Sequence, residues 1–546
     1  MTSRNRGADA LVAALSAAKV RRIFTLSGNH VMPVFDAAID AGIELIHVRH
    51  EAAAVHMADA WARLTGEAGA ALVTGGPGHA NAVGALYTAA MAESPVVLLS
   101  GHSPRGETGK GAFQEMRQQN IAAPLTKASW TCSSPGYVAS DVEKAVLIAK
   151  DGRPGPVHLS LPTDVLEGHA RVGGSSTASS NEKRQSARAP RAKLDPAIYL
   201  SFVKEATRPL ILVGPASCTK RGRERMATLE VATGVPVICM ESPRGIADPG
   251  LGAFSEILAQ ADAILLLGKR LDFTLRFGKP PAIAETCKFM QIDAQQDEIS
   301  RTKRALPARV KHATVAPLFE ATQALTTVAL KGKPQESSWR GEVRAALEFR
   351  PAAWDTAAST LPGRLHPVQA LRPLQALLDA HSDAVFVSDG GEFGQWAQAC
   401  LRAPNRVING VAGAIGPALP FAVAARIAKP HVPIIVAMGD GTFGFHPAEI
   451  DTAVRYKLPF VAVVGNDARW NAEHQIQLRE YGPERAIGTD LLATRYDEVA
   501  RGFGGHGEFI TDPVQILKAA KRGMDSGLPA ILNVMIEGVA APNVKR

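Results

Sequence analysis

Acidic and glycine residues recur in this chain where an apolar run gives way to a turn. Gly439-Asp440-Gly441-Thr442 follows Pro433-Ile-Ile-Val-Ala-Met438, and Gly465-Asn466-Asp467 follows a second run, Phe460–Val464. Asp440 and Asp467 are one strand–helix–strand excursion apart. That spacing predicts that both stand at one sheet edge, where open α/β sheets bind ligands. Two oxygen donors there suit a hard divalent cation such as Mg²⁺. The glycines would let a diphosphate approach the backbone closely. Glu51, in Val48-Arg-His-Glu51-Ala-Ala-Ala, falls where a strand ends and a helix begins, and Thr74-Gly-Gly-Pro-Gly78-His-Ala-Asn81 is a glycine-rich strand-to-helix turn. Taken singly, each motif has an ordinary explanation as a tight turn or as a glutamate at the positive end of a helix dipole.

Alternating strands and helices are needed to position these residues. The first third reads as helix Ala8–Ala18, strand Arg22–Leu26, helix Val31–Ala41, strand Leu45–Val48, helix Ala52–Leu64, strand Ala70–Thr74, helix Ala80–Ala90 and strand Val96–Ser100. Such alternation predicts a parallel sheet with right-handed crossovers. The Val157–Leu161 run extends that unit to about residue 170. A polar, aperiodic stretch at 173–192 reads as a linker. A second unit has strand candidates Pro209–Val213, Val235–Cys239, Ala263–Leu267 and Phe289–Ile292. Gly214-Pro-Ala after the first of these could receive a phosphate or be a tight β–α turn. A third unit has candidates Val385–Ser388, Ile434–Met438, Phe460–Val464 and Ile531–Ile536. The fold class expected is α/β, with three consecutive doubly wound parallel-sheet domains.

In combination, R-H-E-A-A-A, T-G-G-P-G-x-x-N-A, G-A-F-Q-E and the G-D-G and N-D pair resemble the thiamine-diphosphate enzyme superfamily in residue type and order. The group resembled holds acetolactate synthases, benzaldehyde lyases and 2-hydroxyacyl-CoA lyases, and the resemblance spans essentially the whole chain. It implies a pyrimidine-binding domain at 1–172, the linker at 173–192, a central domain at 193–335, a connection at 336–365 and a diphosphate- and metal-binding domain at 366–546. Glu51 then matches the glutamate that bonds the cofactor's pyrimidine nitrogen, so that the protein supplies orientation and proton transfer. Asp440 and Asp467 match the Mg²⁺ ligands, with the carbonyl of Arg469 as third protein donor. Most relatives have Asn at the position of Asp467, and Asn466 is the alternative ligand. Ile415, in Gly413-Ala-Ile415-Gly-Pro-Ala-Leu-Pro420, matches the apolar residue that props the cofactor. Gly391, Glu392 and Phe393 fall where relatives wrap the diphosphate, together with Gly439, Gly441 and Thr442, and Asn81 matches an asparagine near the cofactor. In the family, the glutamate and the metal site come from different subunits, so the resemblance implies at least a homodimer, with a homotetramer expected.

On the substrate side, the resemblance singles out Asn29, His30, Gln114 and Trp470, with Glu473, His474 and Gln475 after the metal loop. His30 resembles the active-site histidine of benzaldehyde lyase, and Gln114 a glutamine aimed at substrate. The paired histidines of pyruvate decarboxylases are missing around Gly111–Glu115, which speaks against simple release of acetaldehyde. The expected activity is a carbon–carbon lyase, carboligase or decarboxylase acting on a 2-keto acid, aldehyde or acyl-CoA. Gly268-Lys-Arg-Leu resembles the central domains of acyl-CoA-using relatives, where ADP can bind. The FAD-holding segment of acetolactate synthases is missing near Ala247–Phe254, so FAD is expected to be absent. Two alternatives stand beside this reading: a flavin-containing 2-keto acid oxidase, which would be coloured, and a catalytically silent regulatory relative.

Bulk composition is compatible with all of this. Hydrophobic residues make up 46% and charged residues 21%, which is ordinary for globular proteins. The net charge of +8 could attract nucleic acid, and Lys183, Arg184, Arg188 and Arg191 cluster in the polar stretch. No basic run is interleaved with aromatics, so an anionic small molecule is the expected partner and nucleic acid is not. Five scattered cysteines lack metal-site spacing and suggest free thiols in a reducing compartment. Neither a signal core nor an apolar run of membrane-spanning length is present, so a cytoplasmic protein is expected.

Overall fold

A computed structural model describes residues 5–170 and 194–546. The linker assigned to 173–192, with its basic cluster, lies outside the described residues. Three all-parallel sheets organise the rest. The first contains β1 (Arg22–Thr25), β2 (Glu44–His47), β3 (Gly69–Val73), β4 (Val96–His102), β5 (Ser129–Thr131) and β6 (Val157–Pro162), in the order β2-β1-β3-β4-β6-β5. The second contains β7 (Pro209–Val213), β8 (Val237–Cys239), β9 (Ala263–Leu267), β10 (Lys288–Asp293) and β11 (Val310–Val315), in the order β11-β10-β9-β7-β8. The third contains β12 (Val385–Ser388), β13 (Asn405–Ile408), β14 (Ile434–Gly439), β15 (Val461–Asn466), β16 (His506–Ile510) and β17 (Ala530–Met535), in the order β13-β12-β14-β15-β17-β16. Helices connect the strands, as a parallel sheet requires.

The central strands read as unbroken apolar runs because helices cover both their faces. β3, β4, β7, β9 and β12 are buried at every position. Side chains of these and the neighbouring strands form separate cores, with Leu72, Leu99 and Leu159 in the first, Ile211, Leu265 and Ile292 in the second, and Phe386, Ile435 and Leu532 in the third. All five cysteines are free. Among the described residues no helix is long and apolar enough to cross a membrane.

The described residues divide into two compact units. The first takes in the chain up to Ile46, Glu67–Met240 and Ala259–Arg340, and the second His47–Gly66, Glu241–Leu258 and Gly341–Arg546. The helix Glu51–Thr65 therefore folds with the third sheet, where it packs along the helix Ala418–Ala428. Alanines along it bring the two helices close, and Arg63 lies over the Phe421 ring. Arg63 also chelates the buried Asp59 and donates to the Ile408 carbonyl.

Candidate active site

In the second unit the site begins with the register of two neighbouring strands. β14 and β15 pair with Gly439 opposite Gly465, so the residues just beyond them, Asp440 and Asp467, emerge side by side. Both carboxylates are buried. Burial pushes Asp440 up to about 6, while burial and then the charge of Asp440 push Asp467 up to about 7. Two like charges this close resist ionising together unless a cation joins them. Asp440 Oδ1 accepts the Gly441 N–H at 2.9 Å, whereas its buried Oδ2 finds no hydrogen-bond partner among the described residues. This donor set fits a divalent cation. Among the described residues no three His, Cys, Asp or Glu side chains are grouped to hold a metal by themselves. Mg²⁺ needs no such cage, because it commonly takes one or two carboxylates and completes its octahedron with phosphate oxygens and water.

A cavity of about 220 Å³ opens at these strand ends. Gly391, Glu392, Phe393, Gly413 and Ile415 line one side, and Gly439, Asp440, Gly441, Thr442, Asp467, Arg469 and Trp470 the other. A Cβ on Gly439 would meet nothing within 4 Å, so the backbone there faces open space. A Cβ on Gly441 would lie 2.6 Å from the Trp470 ring and one on Gly465 2.4 Å from the Phe393 ring. The two aromatics therefore stand directly on bare backbone, and Phe445 meets Trp470 edge-on. Glycine at both places lets the walls close in while leaving main-chain N–H groups near a ligand. Asn466 does not line this cavity. Its side chain is bonded to Asn533, Thr494 and the Ala468 N–H, whereas Asp467 lines the cavity.

One supporting residue was not foreseen. Asp389 follows β12, is fully buried, and accepts N–H bonds from Gly390, Gly416 and Ala418 at 2.6 to 3.2 Å. It thereby pins the Gly413–Pro420 segment that carries Ile415, which packs against Gly390. The Ser-Asp-Gly-Gly string after an apolar run was the available signal. Glu51 is buried at the first position of its helix and does not line the cavity. Glu449 accepts the Arg49 N–H at 3.0 Å and the His50 ring accepts the Ala52 N–H, which together fix the turn that launches Glu51.

In the first unit the other candidates gather at the strand ends of the first sheet. Asn29 and His30 form a short 3-10 turn. His30 bonds the Thr74 hydroxyl at 3.1 Å and stacks on Phe113, and burial pushes its pKa down. Gln114 follows Phe113 in a left-handed conformation, φ 58°, with its backbone against Gly76 of the glycine-rich turn. Asn81 lies on the exposed face of the helix Pro77–Met91. After β7, Gly214 packs on the Gly268 carbonyl, and the Ala216 N–H is taken by the Glu93 carboxylate. Glu93 is itself paired with the buried Arg153, which also reaches Asp293. A further cavity of about 210 Å³ lies beside Ser217, Arg225 and Thr322.

Comparison with known proteins shows which family the chain belongs to. Residues 5–121 match the N-terminal TPP binding domain of thiamine pyrophosphate enzymes, 198–316 the central domain, and 389–534 the C-terminal TPP binding domain. The acetolactate synthase large subunit IlvG of Mycobacterium tuberculosis is 31% identical, over 97% of this chain and 95% of its own. The chain belongs to the thiamine pyrophosphate enzyme family. Other relatives of this thiamine pyrophosphate enzyme are a human 2-hydroxyacyl-CoA lyase 2, 29% identical over 97% of this chain and 90% of its own, and a rice 2-hydroxyacyl-CoA lyase, 26% identical over 96% and 94%. The three parallel sheets of the enzyme correspond to the three matched domains in order.

Proposed function

We propose that this thiamine-diphosphate-dependent enzyme makes or breaks a carbon–carbon bond next to a carbonyl, on a 2-keto acid, an aldehyde or an acyl-CoA. The observation that carries the reading is the pair of buried carboxylates, Asp440 and Asp467, at neighbouring strand ends in a glycine-walled cavity. The names of the relatives, acetolactate synthase and 2-hydroxyacyl-CoA lyase, supply the substrate classes. Thiamine diphosphate supplies the electron sink for that bond when it is bound. Asp440 and Asp467, with the Arg469 carbonyl, would hold Mg²⁺ and through it the diphosphate. Gly391, Glu392, Phe393, Gly439, Gly441 and Thr442 would surround the diphosphate, with Gly413 and Ile415 against the rings and Asn81 near the pyrimidine. Glu51 would hold a proton at the pyrimidine ring nitrogen, and His30 and Gln114 would hydrogen-bond the substrate's oxygens, flanked by Asn29 and Trp470.

Glu51 lies outside the lining of the cavity that contains Asp440, which supports a site completed by a second subunit and hence a homodimer or homotetramer. The domain boundaries at 172, 193, 335 and 366 belong to the same reading, as does a cytoplasmic location. ADP is the candidate ligand for the cavity beside Arg225, to be tested by calorimetric titration. FAD is not expected, and a purified protein with flavin absorbance would reverse that. The deciding experiment incubates protein, thiamine diphosphate and Mg²⁺ with a panel of 2-keto acids, aldehydes and 2-hydroxyacyl-CoAs, with products identified by mass spectrometry. A carbon–carbon bond made or cleaved in at least one combination is expected, and no turnover across the panel would overturn the reading.

A further inference from the structure

Gln118 begins the short helix Gln118–Ala122, just after the loop that carries Phe113 and Gln114. Its side chain is almost completely buried, 1% exposed. Oε1 accepts the Gly76 N–H at 2.9 Å, while Nε2 donates to the Gly101 carbonyl at 3.0 Å and to the Ser160 hydroxyl at 3.1 Å. One amide thus ties together the turn after β3, the end of β4 and the end of β6. These attachments adjoin both substrate-side candidates. Gly76 adopts φ 58° and ψ −114°, and a Cβ there would lie 2.7 Å from the Gln114 carbonyl. A Cβ on Gly101 would lie 2.5 Å from the Cβ of His30. Gln114 therefore rests on one glycine held by Gln118, and His30 on the other.

We propose that Gln118 is a positioning residue that fixes Gln114 and His30 relative to one another through Gly76 and Gly101. The proposal rests on the reading of those two side chains as substrate-side groups. Both ends of the Gln118 amide are engaged, so its orientation is set by its partners. Removing it strands the Gly76 N–H in the interior, and a buried donor without an acceptor opens its surroundings to alternatives. Leucine is close to glutamine in size and cannot form any of the three bonds, so Gln118→Leu isolates the hydrogen bonding from the packing.

The test combines a structural and a kinetic readout on the full-length holoenzyme. In Gln118→Leu, hydrogen–deuterium exchange over 74–78 and 111–117 should quicken about ten-fold or more. kcat/KM should fall by a similar factor, while affinity for thiamine diphosphate and Mg²⁺ stays within about three-fold. Ser160→Ala, which removes a single partner, should change exchange and kcat/KM in the same direction by less, and it serves if the leucine variant does not fold. Because Gln118 acts through both Gln114 and His30, adding Gln118→Leu to the double variant Gln114→Ala/His30→Ala should make it little worse. Unchanged exchange, or losses that simply add, would overturn the proposal. Wild-type kcat/KM in both Gln114→Ala and His30→Ala would overturn the substrate-side reading and the catalytic half of the proposal with it. Accelerated exchange would then mark a structural role only.

Discussion

Asp467 and Asp440 were legible as a pair because each follows an apolar run and a glycine, and a parallel sheet places such residues at one edge. Their energetics were not legible, because they depend on a shared burial that spacing alone does not reveal. With no cation bound, the fold bears the cost of two neighbouring buried carboxylates. Asp467→Asn should therefore raise the metal-free melting temperature by roughly 2 °C or more while weakening Mg²⁺ binding several-fold. Asp440→Ala should lose Mg²⁺ and cofactor binding together. Differential scanning fluorimetry with and without Mg²⁺, alongside calorimetric titration, separates the two outcomes. Glu51→Gln should cut turnover by on the order of 10² to 10⁴ with an unchanged melting temperature, and near-normal kcat would remove the proton-holding role. Asp389 and Gln118 went unrecognised because their importance lies in bonds to distant segments, Gly416 and Gly76; the Ser-Asp-Gly-Gly string marks Asp389 as a turn without naming that partner, and Gln118 sits in no such motif.

At the scale of elements, the buried strands could be read from the sequence and several edge strands could not. β5, β11, β13 and β16 all lie at or next to the open margin of their sheets, and each is the outermost strand. An outermost strand needs only partial apolar cover, and β11 is mostly half-buried or exposed, so its residues do not form an apolar run. The glycines at the ends of β14 and β15 have a different role, that of setting how closely the cavity walls approach. Gly465→Ala would force Phe393 aside. It should cost about 1–3 kcal/mol of stability and weaken thiamine diphosphate binding more than it changes the secondary structure. Denaturant unfolding and circular dichroism would show this, and a variant with native stability and affinity would contradict the close packing of Phe393.

For the whole molecule, the proposal that Glu51 and Asp440 meet across two subunits predicts subunit complementation. Glu51→Gln and Asp440→Ala should each be inactive alone, and activity should return when the two are dissociated and reassembled together. Failure to recover any activity from mixed assemblies would argue that each chain completes its own site. The buried histidines give the molecule a pH signature. Burial lowers His79 and His446 to about 4, whereas the unfolded chain titrates near 6.5. Below that pH the unfolded state binds the extra protons, so this contribution to stability is lost as pH falls from about 6.5 towards 4. Asp389 and Asp440, raised to about 6, act in the opposite direction, so the informative measurement is a comparison. Between pH 7 and 5, His79→Gln should lose less unfolding free energy than the parent protein, by on the order of 2 kcal/mol.

The helix Glu51–Thr65 leaves its neighbours in sequence to fold along Ala418–Ala428 in the second unit, and this bears on how the enzyme can be dissected. A C-terminal fragment cut at Gly341 would be made without the helix that covers the Phe421 side of its core, leaving apolar surface open to solvent. Expressed alone, it should aggregate. Co-expression with a fragment that supplies residues 47–66 and 241–258 should return it to solution. The genetic order of the segments is therefore a poor guide to where this protein can be split, and a workable split reporter or separately folding catalytic piece would have to carry that early helix and the Glu241–Leu258 segment along with the late third of the chain.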